Sequence, residues 1–135
     1  LSVKLQHLDA WNAARRRHAR LYAELLKDVP GVSLLRTDAE SCHVYHLFVV
    51  RVRNREAVME ELRHRHIDCG IHYPVPVHLT SAYADHGYPR GSFPVAELLS
   101  EEVLSLPMFP ELTEQQIRET AGALEQSLAT DTVVV

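Results

Sequence analysis

Val44-Tyr45-His46-Leu47-Phe48-Val49-Val50-Arg51-Val52 is the stretch on which the fold turns. Most of its residues are β-branched or aromatic and it contains neither glycine nor proline, so it predicts a strand at the centre of a sheet. A shorter candidate, Val32-Ser33-Leu34-Leu35, precedes it. After it, Asn54 is placed to cap a helix running through Arg65, with Val58, Met59 and Leu62 turned inward. Ile67 to Tyr73 then reads as another strand.

Further out the pattern becomes helical. Leu1, Leu5, Leu8 and Trp11, then Leu21, Tyr22, Leu25 and Leu26, recur at helical spacing until Pro30-Gly31 stops them. One helix to about Asp28 would be ~40 Å long at 1.5 Å per residue, so part of its apolar stripe is expected to rest on a surface outside this chain. On the other side, Val95, Leu98, Leu99 and Glu102 follow Pro94 at a helix start, and Leu104-Ser105-Leu106-Pro107-Met108-Phe109-Pro110 reads as extended. Thr113 with Gln116 three residues on forms a capping box for a last helix facing inward through Ile117, Ala121, Leu124 and Leu128. Ala129 to Val135 is expected to fray. This order predicts an α+β fold in which helices cover one face of a small, mostly antiparallel sheet.

Overlapping the end of the third strand candidate and running on toward Pro94 is Gly70-Ile71-His72-Tyr73-Pro74-Val75-Pro76-Val77-His78. Proline holds φ near about −65° and disfavours helix in the residue before it, so the segment is expected to run as a stiff extended rod. His72, Tyr73 and His78 on such a rod suit a substrate-lining element. The alternative is that Tyr73 packs in the core and His72 bonds a backbone carbonyl. A metal site built from His64, His66, Cys69, His72 and His78 is disfavoured, because six extended residues at ~3.1–3.3 Å each hold His72 and His78 roughly 19–20 Å apart. The spacing also fits no zinc template. His46, on the central strand, reads as a core histidine.

With 135 residues, 46% of them hydrophobic and 24% charged, the chain has the make-up of one soluble globular domain. Its net charge of −4 gives no electrostatic case for a nucleic-acid or membrane partner. Cys42 and Cys69 are too few for a disulfide framework, and there is no secretory signal or membrane-length apolar run, so a cytoplasmic location is expected. Arg15, Arg16, Arg17 and Arg20 read as one basic helix face, either solvated or a phosphate contact. Lys4 and Lys27 are the only lysines, and both sit on the opening helix.

The segments together resemble the C-terminal small domain of the DegT/DnrJ/StrS-type sugar aminotransferases, pyridoxal-phosphate enzymes of fold type I. Val3-Lys4-Leu5 through Leu8-Asp9-Ala10-Trp11-Asn12 and Arg15-Arg16 are similar to the family's linker helix, and Tyr45-His46-Leu47-Phe48-Val49-Val50 to its small-domain strand. Gly70 to His78 resembles the family's His-Tyr-Pro-x-Pro-x-His element. Gly87-Tyr88, Phe93-Pro94-Val95-Ala96-Glu97 and Leu104 through Thr113 follow in the family's order.

That resemblance covers residues 1 to about 128 and implies a missing large domain. Residues 1–30 would be the linker helix from it, 31–128 the small domain, and 129–135 a tail; the start at Leu1-Ser2-Val3 is expected to be a cut boundary. In the family the aldimine-forming lysine and the acidic partner of the cofactor lie in the large domain, and neither Lys4 nor Lys27 matches that motif. No catalytic, cofactor-binding or metal-binding residue is therefore expected in this chain. The resemblance implies a homodimeric parent that holds pyridoxal phosphate and aminates a nucleotide-linked keto-sugar with glutamate as donor. His72, Tyr73 and His78 would lie near the sugar nucleotide or its pyrophosphate. Two other readings stand beside it: a free-standing dimerisation module on the same scaffold, and part of a pyridoxal-dependent sugar dehydratase.

Overall fold

The computed structural model describes residues 1–38 and 40–131, the last two through their backbone only. Its elements are α1 (Ser2–Leu5), α2 (Leu8–Leu26), β1 (Val32–Leu34), β2 (Phe48–Val52), α3 (Arg55–His64), α4 (Pro94–Glu102), β3 (Val103–Leu106) and α5 (Glu114–Asp131). Two 3₁₀ turns, Val77–Leu79 and Ser81–His86, lie between α3 and α4. The three strands form one antiparallel sheet in the order β1-β2-β3. It is the small α+β fold that the sequence predicts.

Pairing fixes which side chains share a face. Phe48 opposes Leu106, Val50 opposes Leu104 and Leu34, and Val52 opposes Val32, all on one side. Here they meet Ala19, Tyr22 and Leu26 of α2, Val58 and Leu62 of α3, and Ile117, Ala121 and Leu124 of α5 in a single buried cluster. Val49, Arg51, Val103 and Ser105 take the opposite face by strand alternation. Two arginines tie α4 to this frame. Arg51 donates to the Glu102 carboxylate at 2.8 Å, and buried Arg55 donates to the carbonyls of Ser100 at 2.5 Å and Val103 at 3.3 Å, satisfying acceptors at the end of α4.

Several expectations are corrected. The opening helix is broken: the His7 N–H reaches Lys4 O instead of continuing the ladder, and α1 buries no side chain that could hold it in line with α2. Leu1, Val3, Leu5 and Leu8 are exposed. The central strand is shorter than Val44–Val52, because Tyr45 adopts φ 50° and its N–H turns to His43 Nδ1. His46 thereby lies outside the strand and is exposed. The Ile67–Tyr73 strand contracts to one bridge between Gly70 and Ser105, since Pro74 and Pro76 have no N–H to extend a ladder. Asn54 starts α3 in the left-handed region, which asparagine tolerates, and its side chain makes no capping bond. The helix after Pro94 buries Glu97 and Ser100 and leaves Val95 and Leu98 outside.

Arg15, Arg16, Arg17 and Arg20 do not form one face. Successive helical residues fan around the axis, so Arg15 donates to Asn12, Arg16 reaches Cys42 Sγ, and Arg17 and Arg20 are exposed. The capping box is as predicted, with the Gln116 N–H donating to Thr113 Oγ1 at 3.2 Å and the Thr113 N–H to Gln116 Oε1 at 3.0 Å. α5 continues through Ala129 to Asp131, so the predicted fraying does not begin at Ala129; the rest of that expected tail lies outside the described residues. Among the described residues no helix is long and apolar enough to cross a membrane.

Burial has measurable consequences. Leu124 is fully buried between the helices and the sheet, so Leu124→Ala should cost about 2–5 kcal/mol in urea unfolding. Tyr22 stacks on Phe48 and donates to Pro107 O, and burial pushes its phenol up to about 12. The unfolded phenol ionises near 10, so this group's stabilisation is complete below that pH and lost as pH rises toward the folded value; Tyr22→Phe should flatten the alkaline loss.

Candidate functional site

The opposite face of β3 carries the site. Gly70 and Ser105 exchange two hydrogen bonds, the Gly70 N–H donating to Ser105 O at 3.0 Å and the Ser105 N–H to Gly70 O at 2.8 Å. Two residues on, His72 turns back over this pair, and its Nδ1 lies 2.9 Å from the Ser105 hydroxyl. A Cβ on Gly70 would lie 2.8 Å from His72 Cε1, so the ring can occupy this position because residue 70 has no side chain. With Nδ1 engaged, Nε2 is the ring nitrogen left to meet a ligand.

Tyr73 follows edge-on to His72, with ring centroids 5.8 Å apart, and is 75% exposed. Both alternatives weighed for these residues fail: Tyr73 is outside the core, and His72 bonds a hydroxyl and not a carbonyl. The rod ends early. Leu79 N–H closes on Pro76 O and Thr80 N–H on Val77 O, so Val77–Leu79 coils and turns His78 into the protein.

There His78 is buried, its Nε2 lies 3.0 Å from Glu97 Oε1, and its ring packs edge-on against Phe93. Glu97 also accepts the Gly91 N–H on both oxygens, at 2.8 and 2.9 Å, and the Phe93 N–H at 3.3 Å. Gly91 has φ 93°, a left-handed conformation that suits glycine. Burial by itself would raise the Glu97 carboxyl, but the N–H groups of Gly91 and Phe93, together with His78, outweigh it and hold that carboxyl below its usual 4.5.

Thus the structure separates the three predicted site residues: His72 and Tyr73 stand on the surface, and His78 lies beneath it. Ser105, Glu97 and Gly91 were missed as participants. A glutamate one turn into a helix whose first residue is Pro94 is an ordinary acid by sequence, and its partners come from a loop up to nineteen residues away. Among the described residues, no three His, Cys, Asp or Glu side chains are grouped to hold a metal ion. His64 pairs with Glu60, and Cys69 is half-buried, with burial pushing its thiol up to about 11. A groove of about 810 Å³ lies elsewhere, between His66–Asp68, Phe109 and α5, and touches none of the three.

The family model of the DegT/DnrJ/EryC1/StrS aminotransferases matches residues 1–125. The chain belongs to that family. Similar proteins include the erythromycin biosynthesis sensory transduction protein EryC1 of Saccharopolyspora erythraea, 51% identical over 85% of this chain and 31% of that protein. The dTDP-3-amino-3,4,6-trideoxy-α-D-glucose transaminase of Streptomyces venezuelae is 41% identical over 94% of this chain and 35% of its own length. The crystal structure of S. venezuelae DesV in complex with a ketimine intermediate superposes with a TM-score of 0.88 at 41% identity, over 93% of this chain and 34% of that one. The chain spans about a third of the length of the curated relatives it matches.

Aminotransferases of the DegT/DnrJ/EryC1/StrS family depend on pyridoxal phosphate, which such enzymes hold through a lysine imine. The two lysines of this chain do not fit that task. Lys4 is exposed on α1, and Lys27 Nζ lies 2.5 Å from Glu24 Oε1 on an exposed surface, where that hydrogen bond and charge raise its pKa, opposite to what a nucleophilic amine requires.

Two outcomes follow from the loop's geometry. Gly70→Ala should drive the His72 ring off Ser105, and Ser105→Ala should shift the His72 ring resonances with the backbone unchanged; nitrogen-detected NMR of the imidazole reads both. Because the Glu97 carboxyl is depressed, its grip is complete above its ordinary 4.5 and is lost as pH falls through the lower folded value. Amide protection at Gly91 and Phe93 should therefore fall only on the acid side of 4.5.

Proposed function

We propose that this chain is the C-terminal domain of a pyridoxal-phosphate-dependent aminotransferase that aminates a nucleotide-linked keto-sugar, with glutamate as donor. The observation that carries this reading is the match along nearly the whole chain to transaminases named for dTDP- and UDP-linked amino sugars, at 38–41% identity. Residues 1–30 serve as the linker from a large domain that supplies the lysine and the cofactor, residues 31–128 form the small domain, and 129–135 a tail. The parent acts as a homodimer. Exposed Leu1, Val3, Leu5 and Leu8, and exposed Tyr73, Phe93, Val95 and Leu98, support this, since apolar surface of that kind is ordinarily covered.

In this reading the Gly70–His78 loop faces the sugar nucleotide. Tyr73 offers its hydroxyl and ring to the ligand, and His72 offers Nε2, its orientation set by Ser105. The two prolines limit the freedom the loop would lose on binding. His78 contributes from beneath, where it holds the end of the same segment.

Residues 1–135 alone should form no stable aldimine with pyridoxal phosphate; an imine absorption band from this chain would overturn the domain reading. In the full-length enzyme, His72→Ala and Tyr73→Phe should raise the keto-sugar KM and leave the half-reaction with glutamate nearly intact. Unchanged steady-state constants in both variants would remove the loop from the site.

A further inference from the structure

From Ser81 to Phe93 every residue is exposed, and the segment belongs to no strand or long helix. Such a stretch has little apolar burial to order it. Short backbone turns run through it, and its two ends meet on one carboxylate: His78 Nε2 and the N–H groups of Gly91 and Phe93 all lie on Glu97. These are charge-assisted bonds to a buried acceptor, stronger than the exposed Arg90–Glu101 contact at 3.4 Å on the same segment. Phe93 packs on His78 and on Tyr88, so one cluster of rings spans the closure. Toward the other end, only four residues separate His78 from Tyr73, and two of them are prolines with fixed φ. Fixing His78 therefore narrows where Tyr73 can stand.

We infer that Glu97 is a positioning residue for the nucleotide-sugar end of the site: by closing the His78–Phe93 loop it sets where Tyr73 and His72 stand. This rests on the reading of the loop given above. Glu97 itself contacts neither sugar nor cofactor; it acts through His78 and the two backbone N–H groups. A purely structural role at the start of α4 would instead weaken the domain as a whole and disturb both half-reactions alike.

The test uses the full-length enzyme with Glu97→Gln, which keeps the shape and removes the charge, and with His78→Gln as a second variant from the other side of the pair. Amide exchange over Gly91–Phe93 is measured beside two half-reactions followed by cofactor absorbance, one with glutamate and one with a dTDP-linked 3-amino sugar as probe. Faster exchange, an amino-sugar half-saturation concentration raised roughly tenfold and an unaltered glutamate half-reaction are expected. Unchanged exchange overturns the inference. So does a loss of both half-reactions in parallel, which assigns Glu97 to stability alone. If exchange quickens and the amino-sugar constant stays put while Tyr73→Phe raises it, the positioning role fails and the loop reading stands. If His72→Ala and Tyr73→Phe also leave it unchanged, the loop reading fails and takes this inference with it.

Discussion

The antiparallel pairing of Phe48–Val52 with Val103–Leu106 divides β3 between two tasks. Leu104 and Leu106 point into the cluster under α2, α3 and α5, which holds the strand in one register, because a slip by one residue would expose both leucines and bury polar groups in their place. That register leaves Ser105 on the other face, with its backbone free to pair with Gly70 and its hydroxyl free to meet His72. The placement of the polar loop is thus a consequence of the packing of the core. Without the leucines on one side there is no fixed serine on the other.

A second constraint acts at the far end of the loop. A buried carboxylate is costly unless its lone pairs are satisfied, and Glu97 satisfies them with two backbone N–H groups and an imidazole drawn from three different points of the chain. Each of those groups is oriented by the chemistry of its own residue: glycine at a positive φ, a phenylalanine at the helix N-cap, a histidine carried inward by a 3₁₀ turn. The loop is anchored through His72 at Ser105 and through His78 at Glu97, with residues 73–77 between the anchors.

Features set by neighbouring residues were legible in the sequence. The Thr113–Gln116 capping box and the inward stripe of α5 depend on groups three or four positions apart and stand as read, and the helix does start at Pro94, though with another face buried. The α+β class stands as well, because β-branched runs and helical stripes alternate clearly. What was illegible depends on contacts between distant residues. Tyr45 leaves the β region and so shortens the strand, although its propensity and that of its neighbours favour extension. The loop bends inward at His78 because Glu97 waits beneath it, and nothing in the rod's own composition announces that partner. Family resemblance marked the loop as a unit, and the geometry supplied the difference in placement among its three ring-bearing residues.

The most direct test of the account is a crystal structure of the full-length enzyme holding a dTDP-linked amino sugar. The account predicts Tyr73 or His72 Nε2 within hydrogen-bonding distance of the sugar nucleotide, with the Ser105–His72 and Glu97–His78 pairs intact. A sugar nucleotide seated with no contact to residues 70–78 would contradict it.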